Sequence, residues 1–291
     1  MVHSLDQSVH GSKGFYPVAG ARVIGARNRG AGAVGAELAQ VFGHRGVAEA
    51  YRHRPPYPPE VFEILDRLVP DDGPREVLDV GAGEGALARP LAARMARVDA
   101  VDLSAAMVAA GRDRPGGRRP NLRWIVGAAQ SCPLHGPYGL VTAGASLHWM
   151  PWDTTIPRLA AAMAPGAYLA VVEHGPRDLP WGAALTEVIR RHSRSPDFDP
   201  GYSLVGALRA AGHFGPAGRA ETSPVLFRQQ VGSYVEQFHS TASLARELMP
   251  VAEAAAFDAA VEQVVRPFAA GGVLELPIVA TVAWGRLPPP S

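Results

Sequence analysis

The clearest chemical signal in the chain is Asp79-Val80-Gly81-Ala82-Gly83-Glu84-Gly85-Ala86. A short apolar run, 77–80, precedes these residues and a helix-forming stretch follows, so the spacing predicts a strand, a glycine loop and a helix start. Glycine at 81 and 83 permits a sharp turn and lets a ligand lie against bare backbone. The first turn of the helix then directs unpaired N–H groups into the same crevice. Asp102 ends a second predicted strand, about 20 residues beyond Gly81, where a carboxylate accepts the hydroxyl protons of a ribose. An adenosine-bearing ligand suits this set. Gly81, Gly83 and Ala86 also satisfy the G-x-G-x-x-A form of a dinucleotide fingerprint, which keeps NAD and an oxidoreductase open. The plainest alternative is glycine for close strand–helix contact, with Asp102 as a helix cap.

The loop resembles motif I of the class I S-adenosylmethionine-dependent methyltransferases, an acid and an apolar residue before G-x-G-x-G, supplied by Asp79, Gly81, Gly83 and Gly85. Asp102-Leu103-Ser104 with Met107 is similar to the family's D-x-S-x-x-M, and Gly127 to Leu134 to its G-x-A-E-x-L-P-F, with Gln130 replacing the acid. Ala145-Ser146-Leu147-His148-Trp149-Met150 resembles a segment of a bacterial, type 11-like branch. Tyr51 to Pro58 resembles that branch's Y-x-x-x-R-P-x-Y-P, one residue shorter before the arginine. Gly139 departs from the pattern, where the family often has an aspartate. The resemblance covers Tyr51 to about Glu173 and, more loosely, the terminal strand.

It implies S-adenosylmethionine as cofactor. Asp102, Leu103, Met107, Ala128, Ala129 and Gln130 would surround the adenosine, with Asp79, Gly81, Ala82, Gly83 and Ser146 along the loop. Tyr51 and Arg54 would meet the carboxylate end, Arg54 as a fork donor on a proline-stiffened segment. Electrostatics favour this donor over NAD: a pyrophosphate gains nothing beside Asp79 and Glu84, whereas an ammonium and a sulfonium do.

Methyl transfer is an in-line displacement that depends on alignment and exclusion of water. A base is needed only for a protonated, weakly nucleophilic acceptor. His148 is the candidate catalytic base, since an imidazole titrates near neutrality; packing beside the cofactor is its other reading. Trp149, Tyr57, Glu173 and His174 are the candidate acceptor-binding residues. Trp149 would wall the pocket with a face that stabilises cations, and Glu173 and His174 end the fifth predicted strand. A protein that binds the cofactor without moving methyl, as a cyclase or sensor, would carry the same cofactor residues.

Predicted strands at 77–80, 98–101, 122–126, 140–143 and 168–173 alternate with helices at 86–95, 104–111 and 154–163. This pattern predicts an α/β fold: a Rossmann-like, mostly parallel sheet with helices on both faces. A helix at 60–68 precedes it, and an antiparallel C-terminal strand at 273–284 closes it. Helical pieces at 181–191, 203–211, 233–247 and 251–265 predict a helical cap over 176–270 that forms the acceptor-binding region. Residues 1–45, rich in Gly, Ala and Arg, read as a flexible N-terminal extension or, over 31–42, a short amphipathic helix, and 46–287 as the domain. Gly30 to Gly35 has G-x-G-x-x-G spacing, but Arg27-Asn28-Arg29 stands where a buried strand is required.

The 291 residues, 47% apolar with a net charge of +1, are enough for a sizeable core. Near-neutral charge speaks against nucleic acid or membrane as partner and for a small-molecule acceptor, such as a natural product. Cys132 is the single cysteine and no apolar run reaches the length of a spanning helix, so a cytoplasmic monomer or homodimer is expected. No two of the ten histidines stand three or four residues apart, so no metal site is expected. Lys13 is the only lysine, which removes the tyrosine–lysine form of hydride-transfer chemistry.

Overall fold

The structure, a computed structural model, describes residues 41–194 and 201–289. A 3₁₀ turn at Val41–Gly43 leads into α1 (Arg45–Tyr51), and the prolines that follow deliver the chain to α2 (Glu60–Arg67). The sheet starts with β1 (Glu76–Val80), whose glycine loop ends in a single helical turn, α3 (Ala88–Leu91). Next come β2 (Arg97–Asp102), α4 (Ala105–Asp113), β3 (Leu122–Val126), β4 (Tyr138–Gly144), α5 (Trp152–Ala162) and β5 (Met163–Pro176). The C-terminal half adds α6 (Gly182–His192), α7 (Leu204–Ala210), β6 (Gly215–Glu221) and β7 (Val225–Gln230). It ends with α8 (Val231–Glu236), α9 (Val251–Val265) and β8 (Val273–Arg286).

Strands β3-β2-β1-β4-β5 are parallel, and β8 joins β5 antiparallel, as the sequence predicts. The chain winds one way from β1 to β2 and the other way to β4, so a crevice opens at their carboxyl ends. Strands covered on both faces read as continuous apolar runs. Val77, Val98, Leu140 and Ala170 pack under α2 and α3, while Leu78, Val101, Val141 and Leu169 pack under α5 and α7.

Three expectations change. The helix predicted over 86–95 shrinks to α3, with turns on either side of it. Pro90 then brings no N–H to extend it. The predicted helical cap contains two strands: β6 and β7 lie end to end along the outer edge of β8. Gly-Pro-Ala-Gly-Arg-Ala-Glu has neither β-branched nor aromatic residues, so β6 owes its conformation to its partner rather than to propensity. The helix predicted over 233–247 stops at Glu236 and continues as 3₁₀ turns at Gln237–Ser240, Ala242–Leu244 and Arg246–Leu248. There Gln237, Ser240 and Thr241 turn their side chains back onto nearby backbone carbonyls, which competes with a regular helix.

Helices α6, α8 and α9 bury Trp181, Tyr234, Phe238 and Phe257 against Leu274 and Leu276 of β8, giving this half a core of its own. The packed chain also begins earlier than residue 46. Val41 is buried with Val47, Met107, Ala242 and Ala245, so 41–45 belong to the folded body. Residues 31–40 of the predicted helix, and the Gly30 to Gly35 spacing, lie outside the described residues. Among the described residues no helix is long and apolar enough to cross a membrane, and no cluster of metal-ligating side chains forms.

Candidate functional site

The ends of β1, β2 and β4, with Phe42 and Tyr51 from the N-terminal segment, enclose a cavity of about 340 Å³. A Cβ on Gly81 would stand 2.4 Å from Ser146 Cβ, whereas one on Gly83 would meet nothing within 4 Å. Gly81 therefore lets the loop close against the end of β4, and Gly83 leaves bare backbone over open space. Asp102 anchors the loop: its Oδ2 accepts from Gly83 N at 2.7 Å and its Oδ1 from Ser104 N at 2.8 Å. Each carboxylate oxygen keeps a second lone pair for a ligand hydroxyl. Ser104 caps α4 by accepting from Met107 N, and donates its own hydroxyl to the Phe42 carbonyl, tying the N-terminal segment over the cavity. Leu103, Met107, Ala128 and Ala129 line an apolar end, with the Gln130 amide beside them. Ser146 donates to the Val80 carbonyl at 2.6 Å, and Trp149 meets Phe42 edge to face at 5.5 Å. An adenosine fits this donor set: a carboxylate for a diol, an apolar slot for a base and an uncovered loop between them.

A second cavity, of about 290 Å³, lies across the loop and shares Tyr51, Gly81, Gly83, Gly144 and Ala145 with the first. Ala145, on this common rim, has φ of 48°, a conformation costing a non-glycine residue about 1–2 kcal/mol. Arg54, Tyr57, Asp79, Ala82 and His174 line the second cavity. The Arg54 guanidinium stacks 4.0 Å over the Tyr51 ring and donates to the Tyr51 hydroxyl at 3.1 Å. Tyr57 stacks on His174 with ring centroids 3.9 Å apart. His174 Nε2 is 2.9 Å from the Pro55 carbonyl, which can only accept, so the proton resides on Nε2 and Nδ1 is a bare acceptor. Nδ1 is buried without a hydrogen-bond partner among the described residues. Burial, foremost, pushes the imidazole down to about 4 against the pull of the Pro55 bond, so His174 is neutral.

Asp79 is 1% exposed and accepts from Thr142 Oγ1 at 2.8 Å. Burial, foremost, pushes it up to about 7; the Thr142 bond opposes this and the charge of Asp102 adds to it. Because the folded value exceeds the unfolded one, the resulting stability is full below about pH 4 and is lost as pH rises through 7. Denaturant melts of the ligand-free protein at pH 5 and pH 8 should show this loss, up to about 1.4 kcal/mol per pH unit, and Asp79→Asn should flatten it. Glu84 does not supply the acidic flank the sequence suggests. Arg114 bonds one of its oxygens twice, at 3.0 and 2.8 Å, and Arg89 stands 3.7 Å from the other. Negative charge beside the loop thus comes down to Asp79 and Asp102.

Most sequence-predicted site residues are brought together. Asp102, Leu103, Met107, Ala128, Ala129, Gln130, Ser146 and Trp149 line the first cavity; Arg54, Tyr57, Asp79, Ala82 and His174 line the second; Tyr51, Gly81 and Gly83 belong to both. His148 and Glu173 line neither. His148 stands on the 3₁₀ turn Leu147–Trp149, 4.8 Å from the Trp149 ring, and Glu173 is paired within the sheet opposite Thr281. Phe42, Gly144, Ala145 and Met150 are lining residues that sequence reasoning did not assign to the site. Phe42 lies in the stretch that reads as an extension, and Gly144, Ala145 and Met150 carry no side-chain chemistry that would mark them from the sequence.

Residues 77–166 match the family model described as a methyltransferase domain. Trans-aconitate 2-methyltransferase of Paracidovorax citrulli is 37% identical over 132 residues, 43% of this chain and 48% of the relative. An uncharacterized methyltransferase of Mycobacterium tuberculosis is 35% identical over 143 residues, 48% of this chain and 55% of the relative. The chain thus spans about half the length of these curated relatives. A solved structure from Anaeromyxobacter dehalogenans, described as a candidate type II methyltransferase, has a TM-score of 0.59 at 21% identity. The match covers 81% of this chain and 99% of that one, a likeness of fold.

Proposed function

We propose, for a chain whose residues 77–166 match a methyltransferase-domain model, transfer of a methyl group from S-adenosylmethionine to a small-molecule acceptor. The observation that carries this reading is Asp102, which clamps the bare Gly83 loop and still offers lone pairs to the larger cavity. When bound, S-adenosylmethionine supplies a methyl on a sulfonium, already activated for displacement. Asp102 accepts the ribose hydroxyls, and Leu103, Met107, Ala128 and Ala129 hold the adenine with Gln130 at its edge. Tyr51 and Arg54 take the carboxylate. Asp79, Gly81, Ala82 and Ser146 shape the loop.

The acceptor shares the second cavity with the donor's carboxylate end, which Arg54 meets there, and Pro55, Pro56, Phe62, Leu87 and Pro90 suit a largely apolar small molecule such as a natural product. Tyr57 packs on it, Trp149 closes the rim and Glu173 supports the strand beside His174. His174, rather than His148, is the histidine beside the acceptor, because it lines the cavity and its buried Nδ1 has no hydrogen-bond partner among the described residues. So weak a base takes a proton only from an acidic group; its main work is to orient a hydroxyl or N–H.

Calorimetric titration with S-adenosylhomocysteine, with NAD and NADP in parallel, tests the donor. Saturable binding of S-adenosylhomocysteine alone is expected, and binding of a nicotinamide cofactor alone overturns the reading. In turnover with an acceptor found by screening, His174→Leu should cost more than His148→Ala while sparing donor affinity. The opposite order restores His148 as the base. Donor binding with no methyl transferred to any acceptor would point to a cofactor-binding scaffold instead.

A further inference from the structure

We infer that Ser240, in the C-terminal half, is a positioning residue that aims Arg54 at the amino-acid end of the donor; this rests on the donor reading above. Ser240 is fully buried. Its Oγ accepts from Arg54 Nε at 2.7 Å and its carbonyl accepts from Arg54 Nη2 at 3.1 Å, across 186 residues of chain. The same hydroxyl donates to the Gln237 carbonyl, so its proton and its acceptor face are both committed and its orientation is fixed.

The turn that carries Ser240 is itself pinned. His239, 2% exposed, has Nδ1 at 2.7 Å from the Leu244 carbonyl and Nε2 at 2.6 Å from Asp258 Oδ1. Gln237 Nε2 donates to the Tyr234 carbonyl at 3.0 Å. With the Tyr51 hydroxyl, these contacts use three of the five N–H groups of Arg54 and leave two. Among the described residues the hydrogen-bond partners of Arg54 are two hydroxyls and a carbonyl, all neutral. A guanidinium held by neutral groups at the edge of a cavity keeps its full charge for a ligand carboxylate, and its planar fork suits one. Without the Ser240 hydroxyl, Arg54 Nε would lose its partner and only the Tyr51 contacts and the residue-240 carbonyl would hold a long side chain with many rotamers. Among the described residues, none of 176–270 lines either cavity, so the C-terminal half, expected from the sequence to bind the acceptor, would serve the donor instead, through Arg54.

The test compares S-adenosylhomocysteine with 5′-methylthioadenosine, which keeps the adenosine and thioether but has no amino-acid group, by calorimetry on the full chain. Ser240→Ala should weaken S-adenosylhomocysteine about tenfold and leave 5′-methylthioadenosine within about twofold, the loss expected when one charge-assisted contact is misaligned. Ser240→Cys, close in size to serine and a poor acceptor, should behave alike and covers the case in which the alanine variant fails to fold. Arg54→Ala should show the same selective loss, and adding Ser240→Ala to it should cost nothing more. Equal weakening of both ligands, additive losses in the double variant, or unchanged S-adenosylhomocysteine affinity would each overturn the inference. So would equal affinity of the wild-type protein for both ligands, an outcome that spares the donor reading. If the wild-type protein binds neither, the donor reading falls, and the inference with it.

Discussion

Replacing Asp102 with alanine should lower affinity for S-adenosylhomocysteine by about 100-fold or more. Hydrogen bonds to a charged acceptor contribute about 1.5–3 kcal/mol each, so losing two ribose contacts costs about 3–6 kcal/mol. Each 1.4 kcal/mol is roughly a factor of ten in affinity. The loop suffers too, because Gly83 N and Ser104 N both lose the oxygen that holds them. Asp102→Asn is a harsher change than its size suggests. Whichever way the amide turns, an N–H replaces one of two acceptors and faces a backbone N–H. Isothermal titration of both variants checks this, with the thermal midpoint recorded to separate binding from folding. Undiminished affinity in Asp102→Ala would remove the adenosine assignment, since no other side chain on the cavity floor offers two anionic acceptors.

Placing any side chain at Gly139 should unfold the protein or cost about 3 kcal/mol, the upper end of the usual scale for overpacking and forced backbone shifts. A Cβ there would lie 1.9 Å from the Pro74 carbonyl oxygen and 3.1 Å from its carbon. Neither wall yields cheaply. Pro74 leads directly into β1, and Leu140, next to Gly139, is already paired with Val77 on one side and Tyr168 on the other. Gly139→Ala and Gly139→Asp, followed by denaturant melts, should show a collapsed midpoint or no cooperative transition. A normal midpoint would mean that the turn before β1 does not lie against β4. The contact also accounts for the departure from the resemblance: at the position where the resembled pattern has an aspartate, this chain has no room for one.

Much of the site was legible because its chemistry is local. Asp79 to Ala86 is one continuous segment, and Asp102 ends the next strand, so strand, loop and acid could be placed from spacing alone. Ser104 announces α4 because a capping hydroxyl precedes a helix-forming run. Less legible was whatever depends on a distant partner. Gln237 to Ser240 looks helical until its polar side chains are seen competing for backbone, and nothing near residue 54 hints that Ser240 will meet it. Strand β6 has no propensity of its own and exists because β8 offers an edge. His148 and His174 carry the same ring, and only the fold reveals which one lines a cavity and has a carbonyl fixing its tautomer. Glu84 looked available until two arginines from elsewhere claimed it.

Strand β8 has a bearing on how the molecule is made. Its second half pairs with β5, its outer edge holds β6 and then β7, and Leu274 and Leu276 sit in the core shared by α6, α8 and α9. On a ribosome, which releases the chain from its N-terminal end, five parallel strands can assemble while residues 273–286 are still unmade. Until that segment emerges, the outer edge of β5 stays bare, β6 and β7 have nothing to pair with, and Ser240 hangs on an unfinished core. The nascent protein would pass through a stage in which the adenosine pocket is largely built but Arg54 is not yet aimed. The fourteen residues of β8 are what both halves then need in order to close.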